Sequence, residues 1–468
     1  MPCSALPSVA IDLDLIRKYD VSGPRYTSYP TAPCFVEPFP AAEVTTEVEA
    51  IARTDPQRPV SLYIHIPFCD TVCFYCACNK LVTKDRRQGS AYLEWLFREI
   101  EAVGRLVTRS RPVRQLHLGG GTPTFLSLDE MAALFDRLRQ HFHILDDDSG
   151  EYGIEIDPRE VVPGAISGLR RMGFNRISFG VQDTDPAVQK AVNRIQPMDL
   201  NRRVVAEARA AGFHSVNLDL IYGLPLQDRV SFDNSLHEVL DVLDPDRLAV
   251  FNYAHLPHYF MPQRRIHADQ LPSAAEKLAM MEQTIHTLLR RGYVFIGMDH
   301  FAKPDNELAI AQRKGMLHRN FQGYTTHADC DLFGLGVSSI SQVGQVFAQN
   351  QKTIDGYRDA VTQGQSPIHR GLRRTRDDEI RNAVINRLIC RFSLEFAEIE
   401  TRFGILFSDY FQGELQALRP LAADGLVDLH DRGIDIRPVG KLMIRNVCMV
   451  FDWHLSHRPA TRNFSRTL

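Results

Sequence analysis

Four cysteines, Cys69, Cys73, Cys76 and Cys78, fall within ten consecutive positions of a 468-residue chain. A single cysteine in an apolar stretch is by default a small core residue. Four so close together cannot all turn into one core. The spacing C-x3-C-x2-C asks for a soft metal centre, because thiolates this near in sequence wrap one cluster or ion from a single loop. Tetrahedral zinc, the plainer reading, usually draws its ligands from two separated pairs and would be cramped here. The first three cysteines instead match three-thiolate ligation of a [4Fe–4S] cluster, which leaves one iron open.

Composition frames that loop. Hydrophobic residues make up 44% of the chain and charged residues 24%, as in an ordinary globular protein, and the length allows a large α/β domain plus a smaller one. Lys and Arg total 54 against 57 Asp and Glu, whereas a dedicated nucleic-acid binder would carry a basic excess. No apolar run reaches the ~18 residues of a membrane helix. The N-terminal stretch carries acids early and lacks a signal-peptide pattern. Five of the nine cysteines (Cys3, Cys34, Cys330, Cys390, Cys448) are scattered rather than arranged as a disulfide framework, so a reducing cytoplasm is the expected setting.

The chain reads as three parts. Residues 1–55 carry a Pro- and Tyr-rich arm, SGPRYTSYPTAP (22–33), expected to be ordered but not helical. Residues 56–365 alternate strand and helix. Strands are expected at 60–66, 115–120, 152–157, 176–180, 215–223 and 246–253. Helices are expected at 91–106, from 128 to about 141 behind a Ser127–Glu130 capping box, and at 163–172, 199–211 and 232–242. Strand then helix, repeated, implies parallel strands with crossovers. The strands end in Gly119-Gly120-Gly121, Glu155, Gly180, Asp219 and Asn252. Loops after such ends build active sites, so these residues and the cysteine loop are expected to face one cavity. A seventh extended run is expected at 293–301, and a Gly-rich stretch (320–341) closes the region. Residues 366–468 change character. After a solvated arginine face at 369–376, helices at 376–392 and 409–425, a hairpin at 426–438 and a final helix at 441–455 suggest a small, mostly helical, winged-helix-like domain.

C-x3-C-x2-C after a first strand, with Tyr75 before the third cysteine, resembles the radical S-adenosylmethionine superfamily. Within it, the chain resembles the family of oxygen-independent coproporphyrinogen III oxidases. The resemblance is carried by KYDVSGPRYTSYPT (18–31), the cysteine stretch (63–80), GGGTPT (119–124), IEIDPRE (154–160) and NRISFGVQD (175–183). It continues through NLDLIYGLP (217–225), FNYAHLP (251–257), FIGMDHFA (295–302), HRNFQGYTT (318–326) and the NFSR end (463–466). It implies an α/β, partial (β/α)6 barrel, one [4Fe–4S] cluster on Cys69, Cys73 and Cys76, and two molecules of S-adenosylmethionine. The implied reaction, in haem biosynthesis, converts coproporphyrinogen III to protoporphyrinogen IX. A 5′-deoxyadenosyl radical takes a hydrogen from each of two propionate side chains, which lose carbon dioxide and become vinyl groups. The implied partners are that substrate and an unidentified electron donor and acceptor, for a cytoplasmic monomer that binds neither nucleic acid nor membrane. One residue departs from the family pattern: Ala77 stands where that pattern has glycine.

Each candidate site residue also has a bland reading. The glycines could make only a tight turn, Glu155 could be a surface charge, and Tyr63, Phe321, Gln322 and Ile340 could be packing residues. By resemblance, Tyr63, Gly120, Gly121, Thr122 and Glu155 contact the first S-adenosylmethionine. Gln182, Arg194 and Asp219 shell the second, with Ala254 at its edge and Tyr75 as an aromatic wall. Phe321, Gln322 and Ile340 shape the substrate side. Cys78 is expected to matter for activity without ligating. His65 reads as a satisfied core histidine. Two other functions stay open. A haem-binding or haem-transfer relative would share the cluster motif but lack the long arm and the fourth cysteine. A zinc-bound regulator would use the C-terminal domain on nucleic acid, against which the net charge of −3 weighs.

Overall fold

The six strands expected between residues 60 and 253 all form, in chain order: β1 (Val60–Ile66), β2 (Pro112–Gly120), β3 (Glu151–Ile156), β4 (Arg176–Gln182), β5 (Ser215–Tyr222) and β6 (Arg247–Asn252). Each pairs in parallel with the next. Helices α1 (Arg87–Leu106), α2 (Leu128–His141), α3 (Ala165–Met172), α4 (Met198–Ala211) and α5 (Arg229–Val242) supply the crossovers. The capping box at the start of α2 is present, with Ser127 and Glu130 each accepting the other's backbone N–H. The computed structural model describes residues 13–457 together with Phe464 and Arg466. Cys3, the start of the arm, and Asn463 and Ser465 of the C-terminal match lie outside the described residues. The chain divides into one unit of Phe35–Ser273 with Asp329–Arg373, and a second of Ala274–Ala328 with the described parts of Met1–Cys34 and Arg374–Leu468.

In the first unit the strands are two-faced. Leu62, Ile64 and Ile66, Leu116 and Leu118, Ile154 and Ile156, Ile177 and Phe179, Val216, Leu218 and Leu220 are all buried. Side chains alternate along a strand. The opposite face therefore carries Tyr63, His65, His117, Glu155, Ser178, Gln182, Asn217 and Asp219. Register places Tyr63 beside His117, Glu155 beside Ser178 and Gly180 beside Asp219. That row is polar from strand to strand.

The sheet continues past the other edge of β1. Strand β7 (Asp331–Leu335) pairs with β1 in parallel, and β8 (Ile340–Val343), β9 (Val346–Asn350) and β10 (Ile368–Arg373) follow antiparallel. The arginines at 370 and 373 thus sit on a strand rather than a linker. The last four strands are short, β7 to β9 being separated by turns that contain Gly336 and Gly344 and β10 following the helix Ile354–Thr362, which hides their alternation in the sequence.

A buried carboxylate ties this extension to α1. Glu99, 4% exposed, accepts from the Gly336 amide (2.7 Å), the Asn350 side chain (2.6 Å) and the Tyr357 hydroxyl (2.5 Å). Two turns earlier on α1, Tyr92 donates to the His65 carbonyl (2.8 Å) and accepts from the Val337 amide (3.0 Å). A Cβ at Gly336, whose φ is +96°, would stand 2.4 Å from the Tyr92 oxygen, so this close approach requires glycine.

In the second unit the expected strand at 293–301 is instead a hairpin of Val294–Gly297 and His300–Ala302, folded back where Gly297 and Met298 take positive φ. Helix Arg376–Arg391 forms as expected, and the wing strands Val427–His430 and Gly433–Ile436 gain a third partner, Ser393–Glu395. The expected helices at 409–425 and 441–455 are broken. The first splits at Phe411; the second becomes Pro438–Leu442, Ile444–Val450 and Trp453–His457. Around that break the buried Arg445 donates to the carbonyls of Gly23, Pro24 and Arg466, and Asn446 donates to that of Tyr19. Binding the arm takes precedence over helical periodicity.

Replacing Glu99 with alanine would leave two buried donors, the Gly336 amide and the Tyr357 hydroxyl, without their acceptor, while the Asn350 amide keeps the Gly336 carbonyl and the Ser339 hydroxyl. Such a loss costs on the order of 3 kcal/mol, so Glu99→Ala is expected to lower the urea midpoint markedly and Glu99→Gln, which still accepts, to lower it less.

Candidate active site

The cysteine loop leaves β1 and is stitched to its surroundings through its backbone. Beyond Ile66, Phe68 and Cys69 pair with the returning Leu81 and Val82. Leu81 donates its amide to the Pro67 carbonyl (2.6 Å) and Thr83 to that of Cys69 (2.9 Å). From β2, Gly121 donates to the Ile66 carbonyl (2.8 Å) and Thr122 to that of Phe68 (2.7 Å). A Cβ on Gly121 would lie 2.6 Å from the Phe68 carbonyl oxygen, so glycine alone lets the two loops close. From the loop after β4, the Val192 carbonyl accepts the Phe74 amide (2.9 Å), and the Asn193 side chain donates to the Val72 carbonyl (2.7 Å).

All four loop cysteines are free; Cys73 is buried, Cys69 and Cys76 half-buried, and Cys78 exposed. Thr122 places its hydroxyl 3.5 Å from the Cys69 sulfur. Burial pushes the Cys69 thiol up to about 12, with Thr122 opposing. A hydrogen bond from Cys78, helped by Lys80, pulls Cys76 down against its burial, and the same bond keeps the Cys78 thiol protonated. Arg159 and Arg194 donate to the Cys73 sulfur at 3.5 and 3.6 Å. Three soft donors on one loop, faced by two guanidiniums and a lysine, fit an anionic, thiolate-bound iron–sulfur cluster.

Beside the loop lies the polar row. Glu155 meets the Gly120 amide and His117 Nε2, each at 3.3 Å. Burial pushes its carboxyl up, but His117 and the Gly120 amide outweigh this and hold it below the usual range. A Cβ on Gly119 would sit 2.9 Å from that carboxylate, and one on Gly120, whose φ is +117°, would sit 2.6 Å from the His65 ring. The Asn79 carbonyl accepts from His65 Nε2 (3.0 Å), so Nδ1 is the acceptor and Tyr63 donates to it (3.2 Å). Tyr63 also stacks on His117, with ring centroids 6.0 Å apart. Further along the row, Arg194 donates to the Gly180 carbonyl (2.8 Å) and to Asp157 (3.2 Å). Gln182 takes a φ of +70°, and its Oε1 is buried without a hydrogen-bond partner. Burial pushes the Asp219 carboxyl up to about 7, Glu155 adding to this and Arg194 opposing.

Residues 63–239 match the Radical SAM superfamily model, and residues 375–442 match the HemN C-terminal domain model. A Pseudomonas aeruginosa protein named oxygen-independent coproporphyrinogen III oxidase is 53% identical over 99% of this chain and 100% of its own length. An Escherichia coli K12 protein of the same name is 49% identical over 98% of each chain. The solved structure of coproporphyrinogen III oxidase (HemN) from Escherichia coli, described as a radical SAM enzyme, superposes with a TM-score of 0.90 at 48% identity, over 96% of this chain and 100% of that chain. This chain belongs to the oxygen-independent coproporphyrinogen III oxidase family. As a radical SAM enzyme of that family it works with a [4Fe–4S] cluster and S-adenosylmethionine.

Within this oxidase fold, the cysteines, Gly120, Gly121, Thr122 and Glu155 gather at the C-terminal ends of β1 to β3, with Tyr63 midway along β1. Gln182 ends β4 and Ala254 follows β6, whereas Asp219, expected at a strand end, lies within β5, which runs on to Tyr222. Tyr75 packs against the buried group of Val188, Val192, Leu224, Tyr253 and Ile266. Ile340 opens β8, its backbone tight against Gly334, the neighbour of Tyr63 across β1 and β7. Phe321 and Gln322 form the turn between His318–Asn320 and Gly323–Thr325 in the second unit. Sequence reasoning passed over His117, Asp157 and Arg159. The first two share the period-two face of Gly119 and Glu155, which was the available signal, and Arg159 follows Asp157 in the same matched stretch.

An acid whose folded-state pKa stands above its unfolded value of ~3.9 favours folding when protonated. That contribution is complete below the unfolded value and is lost as pH rises through the folded one. For Asp219 the window runs from ~3.9 up to about 7. In the cofactor-free protein, Asp219→Asn is expected to raise the melting temperature in mildly alkaline buffer but not in acid near the unfolded value. An equal gain at both would contradict the assignment.

Proposed function

We infer that this chain converts coproporphyrinogen III to protoporphyrinogen IX without oxygen, turning two propionate side chains into vinyl groups with loss of carbon dioxide. The observation that carries this is kinship along the whole length, through both domains, with proteins bearing the oxidase name. The haem-transfer alternative gains no support from these relatives.

The cluster and S-adenosylmethionine, when bound, supply the one-electron chemistry that opens a carbon–hydrogen bond. The chain's part is to hold and orient. Cys69, Cys73 and Cys76 are the cluster ligands in this reading, and Cys78 donates a hydrogen bond to Cys76. Gly120, Gly121 and Thr122 offer backbone groups to the methionine end of the cofactor, and Glu155, kept ionised, receives its ammonium. Tyr63 and His117 form an aromatic wall beside that carboxylate. Gln182, Arg194, Asp219, Ala254 and Tyr75 serve a second cofactor molecule, and Phe321, Gln322 and Ile340 the substrate side. Two reacting propionates give two cofactor molecules a purpose. The enzyme is a cytoplasmic monomer in this reading, supplied by a separate electron donor. The eight described cysteines are all free, as a reducing compartment would keep them.

Anaerobic turnover of coproporphyrinogen III, followed as carbon dioxide release, tests the reading. Cys69→Ser, Cys73→Ser and Cys76→Ser are each expected to abolish turnover and the broad absorbance at roughly 400 nm of thiolate-bound iron–sulfur clusters. Cys78→Ser is expected to keep the absorbance and lose turnover. Loss of the cluster in all four variants alike would refute this division of roles.

A further inference from the structure

The Cys73 sulfur is set in a charged group that ligation alone does not require. Asp157, at the end of β3, is gripped by Arg159 through Nε (2.9 Å) and Nη2 (2.5 Å), and by Arg194 through Nη1 (3.2 Å). Both arginines reach on to the sulfur with a nitrogen already engaged by Asp157, Nη2 of Arg159 at 3.5 Å and Nη1 of Arg194 at 3.6 Å. The three side chains are little exposed: 17% for Arg159, 7% for Asp157 and 8% for Arg194. Charges so placed are weakly screened. Two guanidiniums against one carboxylate leave a surplus of one positive charge beside one cluster thiolate. A purely structural ion pair would need one arginine.

We propose that Arg159 and Asp157 set the reduction potential of the cluster through Cys73, with Arg159 raising it and Asp157 lowering it. Reduction adds one electron, and so one negative charge, to the cluster and its thiolates. An N–H···S bond from a cation grows stronger on that addition, which favours the reduced form; a nearby carboxylate does the reverse. Arg159 is thus a positioning residue that acts by way of the ligand. Asp157 limits its effect and fixes the guanidinium plane by a two-nitrogen grip. This rests on the reading of Cys73 as a ligand.

The test is a dye-mediated dithionite titration of the reconstituted protein, without S-adenosylmethionine or substrate, with the reduced cluster read by electron paramagnetic resonance. Arg159→Gln is expected to lower the reduced-to-oxidised ratio at fixed potential roughly tenfold, a shift of about 59 mV to the negative for one electron. Asp157→Asn, which keeps the oxygen that caps the Arg159 amide, is expected to shift the midpoint to the positive. Arg159→Lys, which keeps charge but not the fork, should fall between wild type and Arg159→Gln. A general loosening of the site would move Arg159→Gln and Asp157→Asn the same way. That result, or unmoved midpoints with full iron content, overturns the proposal. Should Arg159→Gln fail to load iron, Asp157→Asn decides alone: a positive shift supports the proposal and any other result overturns it. If Cys73→Ser retained the complete cluster, the ligand reading itself would have failed, an outcome separate from an unmoved potential.

Discussion

The closure of the cysteine loop onto the end of β2 is the constraint on which the site depends. Two amides, from Gly121 and Thr122, bond carbonyls on either side of Pro67. A side chain at position 121 would force those strands apart. The same closure brings the Thr122 hydroxyl to Cys69 and presents Gly120 to Glu155. One backbone contact therefore aligns the expected metal ligands, the expected cofactor cradle and the carboxylate. Glu99 and Tyr92 brace the arrangement from behind, holding the end of β1 and the turn that leads to Ile340. Loss of a buried acceptor there would be felt by all three.

Alternation along the strands accounts for the electrostatics. With apolar residues taking one face, every polar residue of the same strands is delivered to the other. There they meet in register and alter one another: Glu155 is held ionised by His117 and Gly120, while Asp219, without such donors, is held back from ionising until about pH 7. Two carboxyl groups on one face are thereby given different protonation behaviour by their neighbours alone.

Much of this was legible in the sequence. The six parallel strands, the helices between them, the α2 cap and the clustering of the cysteine loop with strand-end residues all follow from periodicity and turn residues. The features that escaped share a physical cause, which is long-range contact. Strands β7 to β10 are short and build outward from the edge that β1 offers β7. The C-terminal helix is interrupted where Arg445 and Asn446 serve carbonyls of the arm, more than 400 positions earlier. The run at 293–301 bends because Met298 takes a positive φ, which its residue type does not announce. Arg159 follows a strand end, where a solvated charge is the ordinary expectation.

The ties that hold the cysteine loop engage its main chain, at Pro67, Phe68, Cys69, Val72, Phe74, Leu81 and Thr83. Tyr75, Cys76 and Asn79 are held the same way, their carbonyls accepting from Gln263, Lys80 and His65. A main-chain clamp is indifferent to the letters written on it. Descent can therefore rewrite the intervening positions, such as the exposed Thr71 and Ala77, without loosening the grip on the thiols. Ala77, between the ties at Cys76 and Asn79, is a position of this permitted kind: a change of spelling there leaves the meaning intact.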